Sequence, residues 1–211
     1  MRSFQDGPIC PVIGPMGRAR ALIMPGMNSN DTALLVIDVQ DSFKVSPRWA
    51  RRSTPDFEKN VSALIRHFRE SGRPIFFILH TDSDPGFTPD SPEVRLMDFV
   101  DRREDEPLLR KNTRNSFTST DLQQRLDALG VRRVVITGIQ TEQCCETTAR
   151  VAADLGYDVD FVTEATMTFP IVHGDDELST DEILRRTEFV LRHRFARIVK
   201  VGELLGAVSA T

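Results

Sequence analysis

Short apolar runs recur along this chain, and most are separated by stretches with the period of an amphipathic helix. ALLVI (33–37) is continuously apolar, as a strand buried on both faces must be. In TPDFEKNVSALIRHFRES, residues Phe57, Val61, Leu64, Ile65 and Phe68 fall on one helical face, and Pro55 suits the first turn. PIFFILH (74–80), PLLRK (107–111), RRVVIT (132–137), DVDFVT (158–163) and ARIVKV (196–201) supply further strands. Two helix starts carry capping-box spacing: Thr120 with Gln123, and Ser179 with Glu182. Gly130 stops the first of these helices. The polar stretch 81–107, punctuated by Gly86 and four prolines, reads as loops with a short helix around EVRLMDFV (93–100).

Strands joined by helices of this length form βαβ units, and such units stack into a parallel sheet covered on both faces. The predicted fold class is therefore α/β: three layers, α/β/α, around a central parallel sheet. A chain of 211 residues suits one such domain, and 31–211 is read as a single unit. Residues 1–30 hold four glycines and four prolines without a period. They read as a poorly ordered tail, or as sequence ahead of a true start at Met24 or Met27.

Composition narrows the function. A net charge of -4 argues against electrostatic nucleic-acid binding, and no run approaches the ~20 apolar residues of a membrane helix. ALIMPGM is too short, and too interrupted by Pro25, for a secretory signal. Three cysteines, two of them adjacent, make no disulfide framework, so a cytoplasmic setting with reduced thiols is expected. The first strand runs into VIDVQDSF without a glycine, which removes a dinucleotide fingerprint.

In a parallel sheet, ligands bind outside the carboxyl ends of the strands. Asp38 follows the first apolar run, and Lys111 closes PLLRK, with Arg110 pointing to the opposite side. After RRVVIT a polar bend delivers Cys144 and Cys145 to the start of a helix. Each has a plain alternative: a strand-end cap, a solvated charge, a small buried thiol. Together they make a coherent nucleophilic site. The helix terminus and a nearby ammonium favour thiolate, and a carboxylate can take its proton. Phe43, Trp49 and Phe117 are candidate pocket walls or plain core. SPRWARRSTP (46–55) reads as a lid for an anionic substrate or as a solvated loop with Arg–Trp stacking.

Three segments, TALLVIDVQDSF (32–43), LLRKNTRNSF (108–117) and ITGIQTEQCCETTARVAADLGY (136–157), resemble the isochorismatase-like cysteine hydrolase family. Its members include nicotinamidases, N-carbamoylsarcosine amidases, ureidoacrylate amidases and streptothricin hydrolase. The resemblance spans about residues 32–201. It implies an isochorismatase-like hydrolase fold and a catalytic triad of Asp38, Lys111 and Cys144. The family's G-x-x-T-x-x-C pattern falls on Gly138, Thr141 and Cys144, which leaves Cys145 to the core. It further implies a non-proline cis peptide at 139–140 and an oxyanion hole formed by the backbone N–H groups of Gln140 and Cys144. The substrate-binding candidates are Phe43, Phe117 and Thr141.

The implied reaction is hydrolysis of a carbon–nitrogen bond other than a peptide bond, in a small amide or ureido compound, through a thioester. Homo-oligomers, dimers or tetramers, are expected by the same resemblance. Nicotinamidases add a metal held by an Asp-x-His pair and a further histidine. Here Asp82-Ser83-Asp84 has no partner histidine, His80 stands alone, and His67, His173 and His193 are read as surface or loop residues. No metal and no cofactor are expected. Family enzymes that cleave a vinyl ether generally lack the cysteine, so that chemistry and a non-catalytic member of the fold remain the alternatives.

Overall fold

The computed structural model describes residues 31–206; the expectation of an unordered tail at 1–30 lies outside them. The elements are β1 (Thr32–Ile37), α1 (Phe57–Glu70), β2 (Ile75–His80), β3 (Leu108–Lys111), α2 (Leu122–Ala128), β4 (Arg133–Ile139), α3 (Glu146–Asp154), β5 (Asp158–Met167), β6 (Ile171–His173), β7 (Asp176–Leu178), α4 (Thr180–Leu191), β8 (Arg197–Ile198) and α5 (Val201–Gly206). Six strands form one parallel sheet in the order β3-β2-β1-β4-β5-β8, and β6 and β7 make a separate antiparallel hairpin.

The alternation of side chains along β1 explains its unbroken apolar run. Ala33, Leu35 and Ile37 pack with Leu122 and Leu126 of α2, Ala149 and Ala152 of α3 and Leu191 of α4. Leu34 and Val36 face the other way, into a layer with Phe57, Val61, Leu64, Ile65 and Phe68 of α1 and Val201 of α5. The three-layer α/β/α fold follows, since a strand with helices on both sides has no face left for water.

Several local readings change. Ser179 and Glu182 form a reciprocal capping box at α4. Thr120 and Gln123 do not: α2 begins one residue after Asp121, and the Thr120 hydroxyl donates to the Ser116 carbonyl at 2.6 Å. Residues 93–100 form turns and a bridge rather than a helix, with Leu96 paired to Gln40. ARIVKV contributes only two residues to a strand before α5 takes Val201. β5 runs ten residues to Met167 and shifts register against β4 between Ile136 and Gly138. His67 is buried on α1, and burial, followed by the nearby Arg73, pulls its pKa down. No helix among the described residues is long and apolar enough to cross a membrane.

Candidate active site

Asp38 is the first residue past β1, and its backbone takes the left-handed φ of 53° that bends the chain away from the strand axis. Its side chain is fully buried. Lys111 ends β3 on the same face as buried Leu109, so its stem runs over the sheet edge toward α3. Between these strands lies β2. The extended lysine side chain passes its end and brings Nζ to 2.7 Å from Asp38 Oδ2. Cys144 approaches from the turn after β4, with Sγ 3.4 Å from the same Nζ. Side chains from three strand ends thus meet at one ammonium. The second Asp38 oxygen, Oδ1, is buried and has no hydrogen-bond partner among the described residues.

The cysteine turn owes its shape to two features. Gly138 has φ 130°, and a Cβ there would lie 1.9 Å from the Ile37 carbonyl oxygen, so only glycine lets β4 leave the sheet this close to β1. After the Ile139–Gln140 peptide, which is cis, residues Thr141–Cys145 form one π turn. The Cys145 N–H donates to the Gln140 carbonyl at 3.1 Å, the five-residue span of a π turn, a form that recurs at functional sites. Buried Glu146 then opens α3. It accepts from Arg150 Nε at 3.0 Å, from Thr187 at 3.2 Å and from Arg186, which ties the helix start to α4.

Electrostatics set the resting form of the thiol. Burial, then the charge of Asp38, push Cys144 up to about 12, and the opposing pull of Lys111 is smaller. That direction works against a standing thiolate, while Lys111 and the helix start favour one. Cys145 is wholly buried, and burial raises it well above an ordinary thiol.

Of the substrate-binding candidates, Phe43 stands in an aromatic cluster at the carboxyl end of the sheet. It packs edge-on to Phe87 (5.1 Å between centroids) and stacks on Phe169 (6.1 Å), which Trp49 also contacts. Phe117 is not near this cluster. It stacks on Tyr157, the residue before β5, and packs on the α2–α3 side of the core, in the cluster that also holds Cys144. Thr141 is buried and donates to Thr166 at 2.9 Å, a bond that pins the turn to β5 rather than facing a ligand. In the loop 46–55, Arg52 stacks over Trp49 at 4.7 Å, and Arg51 pairs with Glu177 of β7. His173 sits exposed on the β6–β7 hairpin.

Sequence reasoning missed His80, Gln40 and Asp82 as parts of one constellation. His80 Nδ1 lies 3.2 Å from Lys111 Nζ. Gln40 clamps the ends of β1 and β2: its amide nitrogen donates to the His80 carbonyl at 2.9 Å, and its oxygen accepts from the His80 N–H at 2.7 Å. The available signal was the place of His80 at the end of PIFFILH, a strand-end position equivalent to that of Lys111. Among the described residues no three His, Cys, Asp or Glu side chains gather as a metal site requires. A cavity of about 530 Å³ lies at the opposite edge of the sheet, between Tyr157 and the arginines 192 and 194, and is lined by no cysteine, serine or threonine.

The Isochorismatase domain family model matches residues 32–193. An uncharacterized isochorismatase family protein of Bacillus subtilis (strain 168), YrdC, is 28% identical over 82% of this chain and 94% of its own. Nicotinamidase 3 of Arabidopsis thaliana is 34% identical over 67% of this chain and 76% of its own. The crystal structure of an isochorismatase-family protein from Chromobacterium violaceum ATCC 12472 superposes with a TM-score of 0.79 at 26% identity, covering 87% of this chain and 96% of that one.

Proposed function

The chain belongs to the isochorismatase family, and from that premise we propose that it is a cysteine hydrolase that cleaves a C–N bond in a small amide or ureido compound. One observation carries the reading: Lys111 Nζ bridges Asp38 Oδ2 and Cys144 Sγ, while Asp38 Oδ1 stands buried with no hydrogen-bond partner among the described residues. A carboxylate oxygen left bare beside a thiol is the arrangement a general base requires.

The reaction runs in two halves. Asp38 takes the Cys144 proton as sulfur attacks the carbonyl carbon, and the negative charge moves to the carbonyl oxygen. Backbone N–H groups of Gln140 and Cys144 hold that oxyanion; one such donor is worth about 3 kcal/mol of barrier. The tetrahedral species collapses, the C–N bond breaks, and Asp38 returns the proton to the leaving nitrogen as ammonia or an amine. Water then attacks the thioester and gives a proton to Asp38. The C–S bond breaks and the proton goes back to sulfur. Lys111 keeps its charge throughout and offsets the negative charge that passes between Asp38 and Cys144. Because the free thiol is raised, sulfur becomes nucleophilic only as its proton leaves, which couples ionisation to the presence of substrate.

The test is ammonia release from a panel containing nicotinamide, N-carbamoyl amino acids, ureidoacrylate, maleamate, biuret and streptothricin. Turnover by wild type and by Cys145→Ala, abolished in Cys144→Ala, supports the reading. Turnover that survives in Cys144→Ala refutes Cys144 as the nucleophile, and loss in Cys145→Ala alone would move that role to Cys145. No ammonia from any compound, with isochorismate cleaved in a separate assay, refutes the reading in favour of vinyl-ether hydrolysis.

A further inference from the structure

A protonated lysine carries three N–H donors and no acceptor. Lys111 is 1% exposed, so each donor needs a partner inside the protein. Two partners are the reacting groups, Asp38 and Cys144. The third is His80 Nδ1, a group the mechanism above does not use. His80 is also buried, and the β2–β3 register sets it directly beside Lys111.

An imidazole can accept from an ammonium only through an unprotonated nitrogen, so Nδ1 must be bare and Nε2 must carry the hydrogen. Asp82 Oδ2 stands 3.0 Å from Nε2, where it receives that hydrogen. Asp82 is itself fixed by the Asp84 N–H at 2.8 Å and by Arg114 at 3.4 Å. Arg114 also touches Nε2, and a donor there would demand the opposite tautomer. That tautomer would set an Nδ1–H against the Lys111 ammonium. The lysine is locked and the arginine is half exposed, so the lysine decides the tautomer and Arg114 serves Asp82. Burial first, then Lys111, hold His80 below the ordinary imidazole range; Arg114 acts in the same direction, and Asp38 and Asp82 oppose. Phe87 lies 6.1 Å away and covers the ring.

We propose that His80 is a positioning residue of this site: a neutral imidazole, its tautomer fixed by Asp82, that takes the third Lys111 hydrogen and so aims the ammonium at Asp38 and Cys144. The inference rests on the reading of those three residues as the reacting centre. Protonating His80 would place a cation against Lys111 and withdraw its acceptor, so the site loses activity on the acid side through a residue that never meets substrate.

Two measurements on the full chain test it. Nitrogen-15 NMR of the histidine rings is expected to show His80 as the neutral Nε2–H tautomer at neutral pH; an Nδ1–H tautomer or an imidazolium overturns the proposal. Ammonia release and Cys144 alkylation by iodoacetamide are then compared in His80→Ala and His80→Asn. Asparagine offers a carbonyl oxygen near the place of Nδ1 and cannot be protonated. The alanine variant is expected to lose kcat by about tenfold or more with little change in KM, the scale of one hydrogen bond to a charged group. The asparagine variant should recover most of that loss and lack the part of the acid-side fall that His80 contributes, leaving the part that protonation of the base Asp38 imposes on every variant. Equal loss in both variants, each folded by circular dichroism, would reduce His80 to a packing residue and overturn the proposal. Ammonia release that is unchanged in Cys144→Ala is a different failure: it removes the reacting centre itself.

Discussion

The Asp38–Lys111 pair offers the sharpest energetic test, because both side chains are wholly buried and Nζ lies 2.7 Å from Oδ2. Removing either partner leaves the other charge in the core with nothing to offset it. Lys111→Met or Asp38→Leu should each cost about 3–5 kcal/mol of stability, the loss typical of a broken buried pair. For a domain of this size that is a fall in Tm of about 6–20 °C. Replacing both groups together removes the uncompensated charge. The double variant should therefore return to within about 2 kcal/mol of wild type, or exceed it, while having no activity at all. The assay is urea unfolding of the four proteins, with ammonia release measured in parallel. A coupling energy near zero, with the double variant losing the sum of the two singles, would refute the picture of a tightly paired, dry site. The cycle also separates stability from chemistry, because only wild type keeps both groups and only wild type should turn over.

Other expectations can be checked as directly. Both thiols are raised in the folded chain, Cys144 to about 12 from an ordinary 9.0, so the native state keeps protons that the unfolded chain has released. Stability is thus fully present below pH 9.0 and falls as pH rises above it, by about 1.4 kcal/mol per unit for each thiol. Unfolding of Cys145→Ala should show a shallower alkaline decline than wild type; an identical slope would contradict the burial argument. Gly138→Ala should fail to fold or lose several kcal/mol, since its Cβ meets the Ile37 carbonyl at 1.9 Å, whereas Gly72→Ala, with open space around it, should cost only about 1–2 kcal/mol. Thermal melts of the two glycine variants decide this. Ser179→Ala should lower stability by about 1 kcal/mol through loss of the α4 capping box, and Thr120→Ala should cost no more than that, through loss of the acceptor that its hydroxyl offers the Leu122 N–H.

What the sequence revealed, and what it hid, divides along a physical line. ALLVI announced a strand covered on both faces because every residue in it is apolar, and Asp38, Lys111 and Cys144 were visible as chemistry-bearing groups just where apolar runs stop. β5 was cut short at Thr163 because the rest of it, EATM, reads as mixed polarity. Its buried Thr166 donates to the Thr163 carbonyl and accepts from Thr141, a partner that periodicity cannot supply. Phe117 read equally as pocket wall or as core, because sequence does not say which aromatic ring meets it; in the fold Ser116 bonds to Thr148 of α3 and Phe117 stacks on Tyr157. His67 and His80 were both judged from their own neighbours in sequence, yet what buries them comes from elsewhere in the fold. The Thr120 box failed because α2 begins later than its spacing implied, with Asp121 as the flanking residue, and the Thr120 hydroxyl accepts from the Leu122 N–H.

The strand order has a consequence for how this molecule comes into being. β1 is threaded into the middle of the sheet, flanked by β2 on one side and by β4 on the other. Asp38 and Lys111 can meet once β1, β2 and β3 are in place, but Cys144 joins them only when β4 inserts beside β1, which sets its contacts among the longest in sequence. A nascent or partly unravelled chain therefore carries its three reactive groups far apart and chemically ordinary. The meeting of Cys144 with Asp38 and Lys111 thus depends on the β1–β4 pairing, which sets Ile37 beside Gly138 across the longest stretch of chain between neighbouring strands of the sheet.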